Sequence, residues 1–226
     1  MSFRQYFTCL PPETRPYSRR WKWGVIFLLI LPVSAAAAEV HLTIGGGWYQ
    51  PNYDIFSLGD RLFGPGQGNE WMDIAGLRRI SGSFWYTAGV AIRFWRFAGL
   101  EAGYAAWTHT ERTQMRLVLA DVDHTFEDRT VYFGLTLTGW KGRILPGIGL
   151  GIARHTFNVQ VQPVEFPEIR RTSTLHQNGF YGWVGAHLRL HGGIGIFFGM
   201  RYDGAAPATH WRIWGALRIR IWGTAS

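Results

Sequence analysis

Along most of this chain apolar residues alternate one by one with polar or small ones, and no helical stripe establishes itself. In SFWYTAGVAIRF, residues 83 to 94, one set of alternate positions reads Phe84, Tyr86, Ala88, Val90, Ile92, Phe94; the other reads Trp85, Thr87, Gly89, Ala91, Arg93. A period of two marks a strand whose faces meet different surroundings. The same alternation predicts strands over residues 40–49, 83–94, 98–108, 130–140, 143–157, 175–190, 193–203 and 209–222. Their connections are unequal. Residues 95–97, 141–142 and 191–192 are tight links suited to hairpins. Residues 50–82, 109–129 and 158–174 are long, and 204–208 is short. An even strand number with tight turns at one end and long loops at the other is the layout of a bacterial outer-membrane barrel.

A soluble eight-stranded sandwich or lipocalin-like barrel has the same strand count, so the faces must decide. Ile148, Leu150 and Ile152 oppose Gly147, Gly149 and Gly151; Ile194, Ile196, Phe198 and Met200 oppose Gly195, Phe197, Gly199 and Arg201. In WRIWGALRIRIW, Leu217, Ile219 and Ile221 oppose Arg218 and Arg220. Turned inward, all the bulky aliphatic side chains would have to share one interior, and water would meet a glycine-studded face nearly free of Lys, Asp and Glu. Turned outward, the aliphatic face meets lipid, and the smaller face fits an interior just wide enough for side chains. Closure also pairs every backbone amide, as hydrocarbon requires. The expected fold class is all-β: an eight-stranded antiparallel up-and-down transmembrane β-barrel. Aromatics near strand ends form two expected girdles. Trp48, Phe84, Trp107, Phe157, Phe180 and Trp211 fall toward the outer end; Phe94, Trp95, Trp140 and Trp222 fall toward the other.

Residues 1–38 read as an export signal. Arg19, Arg20 and Lys22 precede the apolar run WGVIFLLILPVSAAAA, which ends in small residues and places cleavage between Ala38 and Glu39. The run is shorter than the roughly 20 residues of a membrane-spanning helix, which disfavours an uncleaved anchor. Ser18-Arg19-Arg20 is followed by Trp-Lys-Trp, unlike a twin-arginine signal. The barrel is then residues 39–226. The net charge of +8 suggests nucleic acid, but five of the 23 basic residues and one of the 15 acids lie in the signal. The remainder is 18 against 14, with no clustered Lys/Arg block, so no nucleic-acid partner is expected. Cys9 is the only cysteine and precedes the apolar run, which leaves no disulfide, thiol or lipid-attachment site beyond it. No metal and no cofactor are expected.

The stretch IGGGWYQPNYDIF resembles the first strand and loop entry of small OmpW-like barrels, and GFYGWVGAHLRLHGGIGIFFGMRYDG is similar to the penultimate hairpin of OmpW/OmpX-type barrels, including its Arg-Tyr-Asp ending. The resemblance implies passage of small, including hydrophobic, molecules, or maintenance of the outer membrane. Its partners would be outer-membrane lipids, lipopolysaccharide and the barrel-insertion machinery. The C-terminus departs from the usual assembly signal: Gly-Thr-Ala-Ser follows Trp222, and Gly215 lies off the usual offset.

Alternation places Arg93, Glu101, His187, Arg189, Arg201, Arg212, Arg218 and Arg220 in the lumen, with His41 a further candidate. An unpaired charge there is costly, so a paired network is the default. Arg93 and Glu101 are expected to pair across the turn at 95–97, and Arg201 and Arg212 to meet Asp203 and loop acids. The surplus of Arg189, Arg218 and Arg220 predicts an anion-attracting patch at the periplasmic mouth, against solvation by mouth water. Most other acids fall in the long loops: Asp54, Asp60, Glu70 and Asp73 in the first; Glu111, Asp121, Asp123, Glu127 and Asp128 in the second. Arginines are mixed among them, a surface that would engage lipopolysaccharide phosphates or be simply solvated. Residues 121–124, DVDH, carry cation-ligand types but no glycine-rich loop, and GPGQG lacks the Lys-Ser/Thr of a phosphate loop. A hydrolase would use Ser173 and His176 with Glu111 or Glu168; HQNG lacks the serine that lipid A deacylases carry two residues after histidine. The expected function is non-catalytic, a narrow pore or small-molecule passage protein. The alternative is a structural or adhesive barrel whose outer loops bind a partner.

Overall fold

The computed structural model describes residues 39–51, 59–60, 64–66, 80–114, 120–139, 141–168, 170–205 and 208–223. The first 38 residues, Trp140 and most of 52–79 lie outside them. Eight strands, β1 (Glu39–Gln50), β2 (Ser83–Arg93), β3 (Ala98–Gln114), β4 (Asp121–Thr138), β5 (Ile144–Pro163), β6 (Arg171–Arg189), β7 (Ile194–Ala205) and β8 (Ala208–Trp222), pair antiparallel in chain order. β8 closes on β1, forming a single barrel. Closure leaves the membrane-spanning part without a strand edge.

The exterior is apolar. Leu135 sits in a cross-strand row with Leu100 and Leu150; Phe133 and Leu137 flank it on its own strand, and its side chain is 60% exposed. Ile152, Val184, Phe198, Ile213 and Ile221 share this outward face. The interior carries the other parity, and its many glycines are spaces for rings borne by other strands. A side chain on Gly149 would collide with the Trp183 indole, and one on Gly151 would meet the Tyr181 ring and the β4 backbone. The tight turns rely on glycine for another reason: Gly142 (φ 99°), Gly192 (φ 68°) and Gly193 (φ 81°) adopt left-handed backbone that a hairpin turn needs.

The strands are longer than the alternation of apolar residues suggests. β3 runs to Gln114, β4 starts at Asp121, β5 runs to Pro163 and β6 starts at Arg171. The second and third outer connections therefore shrink to residues 115–120 and 164–170. The acids expected in the second loop, Glu111, Asp121, Asp123, Glu127 and Asp128, are all strand residues. The cause is visible in the side chains. The period of two continues, but its outward positions become Thr108, Thr110, Arg112, Asp123 and Glu127 instead of aliphatics, while Val122, Phe126, Phe157, Val159 and Val161 remain buried within. β3 to β6 thus rise past the other four strands as a polar-faced sheet.

Candidate functional site

Starting at the outer side of the lumen, Asp128 on β4 and Asp203 on β7 face Arg201 on β7 and Arg212 on β8. Arg201 donates to Asp203 at 2.7 and 2.9 Å. Arg212 Nη2 donates to Asp128 at 3.0 Å, and its Nε lies 3.3 Å from Asp203. His155 Nδ1 is 3.0 Å from Thr130 Oγ1 and 3.3 Å from Asp128. Both guanidinium groups lie on rings: Arg201 over Tyr132 and Tyr181 (4.2 and 4.3 Å), Arg212 over Tyr49 and Trp85 (4.6 and 5.0 Å). Two carboxylates and two guanidinium groups form a charge-balanced, water-excluded cluster, the condition under which buried ions are tolerated.

Below it the lumen is filled by rings. Trp85 on β2 meets Trp214 on β8 at 6.0 Å, Trp214 meets Phe197 on β7 at 4.6 Å, and Phe197 meets Trp183 on β6 edge-on at 5.2 Å. Tyr132 and Tyr181 make a further edge contact at 5.3 Å. Glu101 reaches across from β3 and accepts from Trp183 Nε1 at 2.6 Å and Tyr181 Oη at 2.8 Å. Arg93 therefore does not pair with Glu101. The register sets Ala91 opposite Glu101, so Glu101 lies deeper in the lumen than Arg93.

At the periplasmic end Arg93 Nη1 instead donates to Glu39 at 3.2 Å and its Nη2 to Thr138 Oγ1 at 3.1 Å. Glu39 also lies 3.1 Å from His41 Nε2 and 3.6 Å from Arg220. Arg218 and His187 are buried at this level, and Arg189 is half-buried. Glu39, Asp128, His155 and His210 are lumen residues that the sequence reading left out. Glu39 and Asp128 lie one and two residues before the assigned strands and His155 and His210 within them, so continued parity reaches all four.

Trp48, Phe84, Phe180, Trp211 and Trp222 point outward, and Phe94 is half-buried. Trp107 is corrected: it is 0% exposed, inside the barrel, edge-on to Tyr49 at 4.9 Å. Phe157 is likewise interior. Both sit near the outer end of the membrane segment but on the inward parity, and parity, not position along the strand, decides. Trp140 lies outside the described residues.

On the raised sheet, Arg112 grips Asp123 with Nε and Nη2 at 2.7 and 3.0 Å. Hydrogen bonding from Arg112 holds the Asp123 carboxyl below its usual range. Asp121 and Asp123 face outward and His124 inward, so DVDH does not converge on one point. Ser173 and His176 likewise fall on opposite faces of β6, and His176 is bonded instead to Thr156 at 3.2 Å. The edges of this sheet matter. β6 pairs with β7 only from Phe180 onward, so Arg171–Gly179 is bonded to β5 alone among the described strands.

A closed antiparallel eight-stranded barrel with an aliphatic exterior and a packed aromatic and ionic lumen has the architecture of the small outer-membrane barrels. No family model matches the chain, and no curated protein matches it in sequence. Among solved structures it is similar to the attachment invasion locus protein Ail of Yersinia pestis, crystallised with the heparin analogue sucrose octasulfate, at 12% identity and a TM-score of 0.52, over 81% of this chain and 99% of that one. It is also similar to Neisserial surface protein A, at 8% identity and a TM-score of 0.50, over 82% of this chain and 99% of that one. At such identities the likeness is one of fold.

Proposed function

We propose that the protein is an outer-membrane barrel, exported with removal of residues 1–38, that is closed to passage and acts through its raised β3–β6 sheet as a docking surface. The partner is an extended polypeptide segment that adds to the outer edge of β6, on the side away from β5. The observation that carries this reading is the edge itself. Among the described strands Thr172 and residues 174–179 are paired on the β5 side alone, and this edge has β-branched Thr172 and Thr174 without the Lys, Pro or bulge that blunts a sheet edge. Main-chain pairing on such an edge is a recurring recognition mode, with alternate side chains supplying selectivity. The OmpW/OmpX-type resemblance belongs to this proposal as a finer placement within the class. So do contacts of the outward aromatics with lipid and lipopolysaccharide headgroups, and assembly by the barrel-insertion machinery.

The passage reading is disfavoured by the ring packing of Trp85, Trp214, Phe197 and Trp183 across the lumen. Purified barrel in planar bilayers is expected to give no conductance steps; the triple replacement of Trp183, Phe197 and Trp214 by alanine is expected to introduce them. Stable steps from the unaltered protein would return the passage reading to first place.

Docking is tested by removing residues 157–175 and joining Thr156 to its cross-strand partner His176 through Asn-Gly, which lowers β5 and β6 together, takes away the outer part of the edge and keeps His155 in the lumen. Cells displaying this variant are expected to lose at least tenfold in binding to an immobilised unstructured polypeptide with β-branched residues at alternate positions, while the barrel keeps its heat-modifiable gel migration. Unchanged binding by the shortened barrel would overturn the assignment of the β6 edge.

A further inference from the structure

Among the described residues the periplasmic mouth carries more positive charge than its carboxylates neutralise, and several of its buried polar atoms have no hydrogen-bond partner. Arg93, Arg189, Arg218 and Arg220 gather there, and Glu39 is the carboxylate in contact with them among the described residues. Glu39 is already engaged by Arg93, His41 and Arg220. Glu101, the next acid up the lumen, is committed to Tyr181 and Trp183. Among the described residues Arg218 makes no ion pair, and its Nε is buried without a hydrogen bond. Both ring nitrogens of His187 and the Nδ1 of His41 are in the same condition. Arg218 and His187 are each only 7% exposed. Buried polar atoms left unpaired in this way are costly and call for an account.

These groups converge. Gly195 on β7 is the cross-strand partner of both Arg189 on β6 and Arg218 on β8, so a position without a side chain separates two arginines in one row. The His187 ring occupies the space that a side chain on Gly195 would need. The ionisable neighbours of His187 are Arg218, His41, Arg93 and Arg189. The half-buried Arg189 and Arg220 face the opening, while Arg218 and His187 line its floor.

We propose that this mouth is a binding site for a small soluble phosphate, inorganic phosphate or a phosphate monoester, entering from the periplasm. Arginine binds phosphate oxygens through parallel charge-assisted hydrogen bonds. Guanidinium groups only donate, whereas each neutral imidazole offers one donor and one acceptor. A hydrogen phosphate brings accepting oxygens for Arg218, Arg189 and one side of the imidazoles, together with an O–H for an accepting ring nitrogen. Sulfate lacks that O–H and chloride lacks the tetrahedral spread, so the donor set favours phosphate over both. The site is independent of the docking surface: it lies at the opposite end of the barrel and shares no residue with β6's outer edge.

The test is calorimetric titration of inorganic phosphate into the full chain, expressed in a Gram-negative host and purified in zwitterionic detergent at low ionic strength. Saturable binding is expected, at least tenfold tighter than for sulfate or chloride. Arg218→Gln and, separately, Arg189→Gln are each expected to weaken it at least tenfold. The Arg189 variant alters a half-buried residue at the opening, so folding is preserved, as heat-modifiable migration will verify. No binding by the folded protein, equal binding of chloride, or full affinity in the folded Arg189→Gln variant would overturn the proposal.

Discussion

Replacing Leu135 with arginine is expected to destabilise the folded barrel by about 2–4 kcal/mol when folding is measured in lipid vesicles, the cost of a cation on the lipid face near the bilayer centre. The side chain is 60% exposed and touches a row of leucines, so in a water-soluble barrel the same change would relieve an exposed apolar position and cost almost nothing. The size of the effect therefore reports which solvent surrounds the outward face. Equilibrium unfolding in denaturant, with the barrel reconstituted in vesicles, measures it directly. A change under about 0.5 kcal/mol, the usual range for a surface substitution, would show that hydrocarbon does not contact Leu135.

The second large effect lies inside. Arg212→Ala is expected to cost about 3–5 kcal/mol, because it leaves buried carboxylates without their compensating cation. Arg212 is 1% exposed and serves Asp128, Asp203 and Thr130 at once while packing over Tyr49 and Trp85. Pairing Arg212→Met with Asp128→Asn is expected to recover much of the loss, since both the apolar volume and the charge balance return. A double variant no more stable than Arg212→Ala would show that unbalanced charge is not the source of the cost. The two predictions are separable, because Leu135 and Arg212 lie on opposite faces of the barrel wall and share no partner.

The alternation of side chains carried most of the architecture. It placed Arg93, Arg201, Arg212 and Arg218 on the parity opposite the aliphatics, and a period of two admits only two answers. What it missed follows from the same physics. Above the bilayer the outward face meets water, so the contrast between Thr110 or Arg112 and its neighbours weakens, and a strand there resembles a loop in composition. Inward Val122, Phe126, Val159 and Val161 were the remaining signal of β4 and β5. Trp107 was misplaced by giving weight to its height instead of its parity. The partners of Glu101 were beyond reach for a different reason. Tyr181 and Trp183 lie on β6, which is not β3's neighbour in the barrel, and contacts across a lumen depend on side-chain reach that no local pattern encodes.

The contact between Arg212 and Asp128 joins β8 to β4, strands that lie half a circuit apart in the closed ring. It behaves as a strut across a diameter. Flattening the tube along that line would crush the rings beneath it, and stretching it would strand a carboxylate in a dry interior. The strut's two ends lie 84 residues apart in the chain, so it ties the middle of the sequence to the closing strand. The roundness of this small cylinder is thus held from within as well as around its wall.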